Sequence, residues 1–186
     1  MNLDISKFNK KEEYTDGKYS VYSFSGENRN FRRIVCAAES ICILPFDLTD
    51  KNNIRNIYLS KYKDYLTNKF DHTCITDTFN KDEFDSYYAA IEDCLKHDMG
   101  IQNIDVNDTY YLGKIKHSVP FSKEYRCYGV NLTKYCSDPS GYTNPVQHPD
   151  PKSIIEKIKF NKLIKGDISD SLSLSCSLLL LSYFSE

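Results

Sequence analysis

Apolar and polar positions divide this chain into segments of two periods. From Arg33 to Pro45 the run RIVCAAESICILP is rich in apolar and β-branched residues, which predicts a buried strand. Ile54 to Tyr62 (IRNIYLSKY) alternates and predicts its antiparallel partner, with the turn between Asp47 and Asn53. A third short strand is predicted over Thr73 to Thr76. The period then lengthens. In DSYYAAIEDCLKHDM, Asp85 to Met99, the apolar positions Tyr88, Ile91, Leu95 and Met99 recur at three- and four-residue spacing and predict a helix. Asp85 or Ser86 serves as its N-cap, and Gly100 as the residue just past its end.

Strand patterns resume over Thr109 to His117 and Glu124 to Tyr135, with a turn from Ser118 to Phe121, and again over Ile154 to Phe160. Asn161 to Gly166 predicts a short helical turn. Asp170 then caps a C-terminal amphipathic helix, SLSLSCSLLLLSYF. Two segments stand apart. Residues 1–32 are polar and predict an N-terminal arm or small hairpin, with Tyr19 to Phe24 turned by Ser25 to Asn28. Residues 137–152 hold four of the six prolines, a loop of the kind that is often functional or contact-forming. The domain proper is 33–186. Three strands, a helix, three strands and a helix predict an α/β (α+β) fold in which a mixed β-sheet is sandwiched between helices.

A length of 186 residues fits one domain, and 40% hydrophobic with 27% charged residues is ordinary globular composition. A net charge of -2 supplies no electrostatic footprint for nucleic acid, which is disfavoured as a partner. The polar opening MNLDISKFNKKEEYTDGK has no secretory pattern. The longest apolar stretch, Leu172 to Phe184, is interrupted by serines and shorter than the ~20 residues a span requires. A soluble, cytoplasmic protein with no membrane partner is expected. The seven cysteines (36, 42, 74, 94, 127, 136 and 176) include no CxxC pair and read as reduced and structural. A zinc site drawing on Cys127 and Cys136 is the lesser alternative. Fifteen tyrosines, no tryptophan, and frequent Asn, Lys and Ile suggest an AT-rich genome such as a bacteriophage's.

The element order, with AAIEDCLKHDMGI in its central helix, resembles the Nudix hydrolase family. Its motif is Gly, five residues, Glu, seven residues, Arg-Glu, an aliphatic, any residue, Glu-Glu, any residue, Gly, and an aliphatic. Anchored on Gly100-Ile101, Leu95 falls on the first aliphatic and Asp93-Cys94 on Arg-Glu. His97-Asp98 falls on Glu-Glu, Asp85 on the outlying Glu, and Phe79 on the leading Gly. The resemblance spans residues 33 to 185. It implies divalent-ion chemistry at a phosphorus of a nucleoside diphosphate, normally with Mg²⁺ held by carboxylates of the box helix.

Here the box positions Asp85, Asp93, Cys94, His97 and Asp98 are vestigial. Cys94, His97 and Asp98 are placed on one helical face, and only Asp98 is a carboxylate. No catalytic residue, metal or cofactor is therefore expected. Asp98 is the best remaining metal candidate, and Mg²⁺ or Mn²⁺ enters only with residual hydrolase activity. Asp85, Glu92, Asp93 and Asp98 read as a solvated helix face, and His72, His117 and His148 as surface or strand positions.

The leading expectation is a pseudoenzyme: a non-catalytic structural or protein-interaction component that contacts other protein subunits. In a viral setting it would be a virion or assembly protein, located in the host cytoplasm or virion. The alternatives are a nucleotide- or ADP-ribose-binding pseudoenzyme and a divergent metal-dependent nucleoside-diphosphate hydrolase using Asp85, Asp93 and Asp98. Arg55, Tyr62, Lys63, Tyr111 and Arg126 are available for a ligand cleft.

Overall fold

The computed structural model describes residues 8–15, 19–26, 29–36, 39–64, 68–117, 121–135, 153–165, 168 and 170–185. In chain order the strands before the first helix are β1 (Asn9–Thr15), β2 (Tyr19–Gly26), β3 (Arg29–Cys36), β4 (Glu39–Leu48), β5 (Ile54–Asp64), β6 (Lys69–Thr73) and β7 (Ile75–Phe79). Helix α1 (Tyr87–Met99), strands β8 (Thr109–His117), β9 (Phe121–Asn131) and β10 (Ser153–Lys159), and helices α2 (Phe160–Ile164) and α3 (Ser171–Ser185) follow.

β4 organises the sheet. It runs parallel to β9, and its other edge pairs antiparallel first with β7 and then with β5. Both its faces are covered. Ile41 and Ile43 join the α1 layer, while Cys42, Leu44 and Phe46 join the layer under α2 and α3. Such double coverage is why its sequence is almost continuously apolar. The mixed sheet between helices expected from the sequence is therefore present. β8 pairs antiparallel with β9, β10 with β5, and β6 with β5 beyond β4. The β1–β2–β3 meander joins the sheet through β3 against the start of β9.

Several expected strands are corrected. The run from Arg33 to Pro45 is two strands, because β3 and β4 lie one after the other along β9, meeting it at Phe121–Ser122 and Tyr125–Asn131. Apolar content marks both halves alike and cannot reveal the break. The strand at Thr73–Thr76 is likewise two, since the chain changes partner at Cys74, from β5 to β4. The strand over Glu124–Tyr135 starts earlier and ends at Asn131, where Tyr135 N–H closes a turn on the Leu132 carbonyl. The polar arm contains β1, exposed at every residue and held by ladder hydrogen bonds to β2. The 137–152 loop lies outside the described residues.

Helix α1 begins at Ser86, whose Oγ accepts from Ala89 N–H at 3.1 Å. It ends at Gly100, left-handed at φ 68°, with Gly100 N–H on Lys96 O and Ile101 N–H on Leu95 O. This double closure favours glycine, which has no Cβ to strain. α1 buries Ala90, Ile91, Cys94, Leu95 and Met99. Tyr88 lies off this stripe, and its hydroxyl donates to the Ile104 carbonyl.

α3 begins at Asp170, whose carboxylate accepts from Ser173 N–H at 2.8 Å and from its hydroxyl at 2.6 Å. Its buried stripe is Leu172, Ser173, Cys176, Ser177 and Leu180. Close packing here requires Gly129 on β9, where a Cβ would stand 3.0 Å from Leu180 Cδ1 and 3.2 Å from Phe46. Among the described residues no helix is long and apolar enough to cross a membrane.

Candidate functional site

Helix α1 fixes the box positions by its own geometry. Phe79, ending β7 at the motif's leading glycine, is a core residue stacked on Tyr87 at 4.1 Å. Asp85 is exposed just before the N-cap. His97 turns back along the helix, with Nδ1 2.9 Å from the Asp93 carbonyl oxygen and 3.3 Å from Asp93 Oδ2. Of Cys94, His97 and Asp98, expected on one helical face, His97 has its ring engaged by Asp93. Only Cys94 and Asp98 meet, at 3.7 Å between Sγ and Oδ2. Asp98 is half-buried, so it does not belong to a fully solvated acidic face. Burial first, then the charges of Asp98 and Asp77, pushes the Cys94 thiol well above its ordinary value and keeps it protonated.

The same side of the sheet carries an aromatic and cationic platform. Tyr87 opens α1 and lies under the Arg126 guanidinium, 4.8 Å from ring centroid to Cζ. Tyr128 lies 6.1 Å from Tyr87 and 5.3 Å from Tyr111, ring to ring. Arg126 is oriented by Glu39, Nε to Oε2 at 3.3 Å, and Lys81 approaches the same carboxylate at 4.0 Å. The ladder places Lys114, Arg126, Ile41 and Asp77 in one row across four strands.

Of the residues available for a cleft, Tyr111 and Arg126 come together here, and the others do not. Tyr62 and Lys63 sit on β5 against β6. Arg55 is held by Asp47, whose buried carboxylate accepts from Arg55 Nε (2.9 Å), Asn56 Nδ2 (2.9 and 3.0 Å) and Tyr58 OH (3.0 Å). Tyr87, Tyr128 and Glu39 were missed. The alternation Glu124, Arg126, Tyr128 was a usable signal, but Glu39 and Tyr87 come from other elements.

Elsewhere, a cleft of about 670 Å³ is lined by His72, Glu156, Lys157, Lys159 and Lys162. Its carboxylate is engaged by Lys61 Nζ at 2.6 Å and by His72 Nε2 at 2.8 Å. Burial raises the Glu156 carboxyl, but these two hydrogen bonds outweigh it and hold the group below its usual range. His117 ends β8, and His148 lies outside the described residues.

No family model and no curated protein matches the chain. Solved structures do. The crystal structure of an ADP compounds hydrolase is 15% identical, with a TM-score of 0.63, covering 99% of this chain and 97% of its own. A NUDIX hydrolase from Listeria monocytogenes is 15% identical, with a TM-score of 0.50, covering 79% of this chain and 94% of its own. The fold is that of the Nudix hydrolases.

On this Nudix fold the box can be tested against the ion that the family uses. Mg²⁺ demands near-octahedral oxygen donors. The box face offers the Asp98 carboxylate beside a protonated thiol, and His97 is engaged by Asp93. Among the described residues, no group of three metal-ligating side chains includes a box position. These residues do not fit Mg²⁺.

Proposed function

We propose that this Nudix-fold protein binds a nucleoside diphosphate carrying a further group, such as ADP-ribose, without metal-dependent cleavage. The observation that carries this reading is the Tyr87–Arg126–Tyr128–Tyr111 platform on the face of the sheet that α1 covers. Aromatic faces stack on a purine at low entropic cost, and a guanidinium pairs bidentately with phosphate oxygens. The fold match to an ADP compounds hydrolase supports an ADP-type ligand. Cys94 supports the lack of turnover, because it puts a neutral thiol where the motif has a carboxylate.

The same fold match favours a second reading, a divergent hydrolase in which Asp98 and Asp77 beside Cys94 act on the phosphates. The structural or virion role has no observation of its own to support it.

Calorimetric titration with ADP-ribose, with and without Mg²⁺ or Mn²⁺, tests both readings alongside a phosphate-release assay. Binding that ignores the metal and weakens at least ~10-fold in Arg126→Ala supports the ligand site. Metal-dependent turnover lost in Asp98→Ala establishes the hydrolase instead. Absence of binding to ADP-ribose and ADP overturns both.

A further inference from the structure

Four buried cysteines of the α3 layer come from four separate places in the chain. Cys42 and Cys127 are direct partners on parallel strands β4 and β9, Cys74 is the single residue between β6 and β7, and Cys176 lies on the buried stripe of α3. The Sγ atoms of Cys42, Cys74 and Cys176 all lie within 4.8 Å of one another. Cys127 is the neighbour of Cys42 across the parallel ladder, and its Sγ lies 3.8 Å from the Tyr125 carbonyl oxygen. None of the four is more than 1% exposed. Four Zn–S bonds of ~2.3 Å directed tetrahedrally set neighbouring sulfurs roughly 3.8 Å apart. Small side-chain rotations therefore close Cys42, Cys74 and Cys176 on an ion.

From this placement we infer that the protein holds a thiophilic d¹⁰ cation, Zn²⁺, between Cys42, Cys74 and Cys176, with Cys127 as the fourth donor. Sulfur ligands select soft and borderline ions over Mg²⁺, so this centre is chemically separate from anything the box could hold. On binding, each metal–sulfur bond replaces an S–H bond and the proton leaves to solvent.

The backbone beside the cluster is fixed by its own hydrogen bonds. Ser173 Oγ accepts from Cys74 N–H at 2.9 Å and donates to Asp170, which ties the Cys74 backbone to the start of α3. Outer contacts of this kind hold ligands in place. Among the described residues, the buried hydroxyls of Ser40, on the same face of β4 as Cys42, of Ser177, next in sequence to Cys176, and of Thr109 have no hydrogen-bond partner. Unused donors are costly in an apolar core, and an anionic centre within their reach would supply an acceptor. The competing account treats the four thiols as small apolar side chains.

Protein purified under reducing, chelator-free conditions is assayed for metal by mass spectrometry, then stripped and titrated with Co²⁺. The expected result is about one zinc per chain and, with cobalt, the visible absorption of a tetrahedral thiolate site. Cys74→Ser and Cys176→Ser abolish that absorption, whereas Cys94→Ser keeps it. Chelation lowers Tm by roughly 10 °C or more. If a cluster variant fails to fold, the stoichiometry and cobalt spectrum of the unaltered chain decide alone. Metal-free protein that takes up no Co²⁺ and melts identically with chelator overturns the inference, as does metal retained in both cluster variants.

Discussion

Cys94 and Cys176 each lie on the buried stripe of a helix, on opposite sides of one sheet, and their surroundings give them different chemistry. Cys94 meets a carboxylate, with Asp77 and Asp93 adding to the negative field, so its proton is held tightly. Cys176 meets other thiols. Hydrogen bonds from Cys176, then Cys42, lower Cys74 and Cys127, while Cys42 and Cys176 are raised. Thiols grouped together exchange protons with one another, whereas an isolated thiol beside an acid stays neutral. One residue type is thus inert on the face where the family places its metal, and concentrated on the face where it does not.

The largest expected effect comes from the α1 side, where Asp47 follows Ile41 and Ile43 on the same face of β4. Asp47→Ala takes the acceptor from the buried Asn56 amide and Tyr58 hydroxyl, removes the ion-pair partner of Arg55 and Lys157, and is expected to cost about 3–5 kcal/mol in urea denaturation. Burial raises the Asp47 carboxyl, but hydrogen bonds from Arg55, Asn56 and Tyr58 outweigh it and leave the group below its ordinary value. The stability it contributes is therefore complete above the unfolded-chain value of about 4 and is lost as pH falls through the lower folded value. Asp47→Asn should flatten that acid limb; an unchanged pH profile would remove Asp47 from the account.

On the α3 side the effects are steric. Gly129→Ala drives a methyl into Leu180 and Phe46 and is expected to cost about 1–3 kcal/mol, measured by thermal unfolding. A neutral result would mean that α3 can shift, loosening the grouping of Cys176 with the strand cysteines. Asp170→Ala removes the α3 cap and the Ser173 anchor for an expected loss of about 1–2 kcal/mol, and the loss should be larger in metal-loaded than in stripped protein. The smallest effect separates the thiols directly. Native Cys94 should resist iodoacetamide up to about pH 9, read by peptide mass, and labelling at pH 8 would mean that its burial and acidic neighbours do not govern it.

Local signals were strongest where one short segment contains its own explanation. Ser86 and Gly100 bound α1, Asp170 caps α3, and β8 runs from Thr109 to His117 as the alternation indicated. β1 was harder to read because its exposed residues are held by backbone pairing, which leaves no apolar pattern. At the site, the box register came from the sequence, but the helix turned His97 toward Asp93 instead of Cys94. The platform was half visible, through Arg126 and Tyr111. Tyr87 and Glu39 join it only because α1 and β4 pack against β9.

The sequence by itself determined the layers, the helix ends and the replacement of carboxylates along the box, because periodicity, caps and side-chain chemistry act within a few residues. Tertiary structure decided the thiol grouping. Cys42, Cys74, Cys127 and Cys176 have no recognisable spacing, and strand pairing together with the seating of α3 brings them together. Sheet register sets proximity between residues distant in the chain, and no local pattern encodes it.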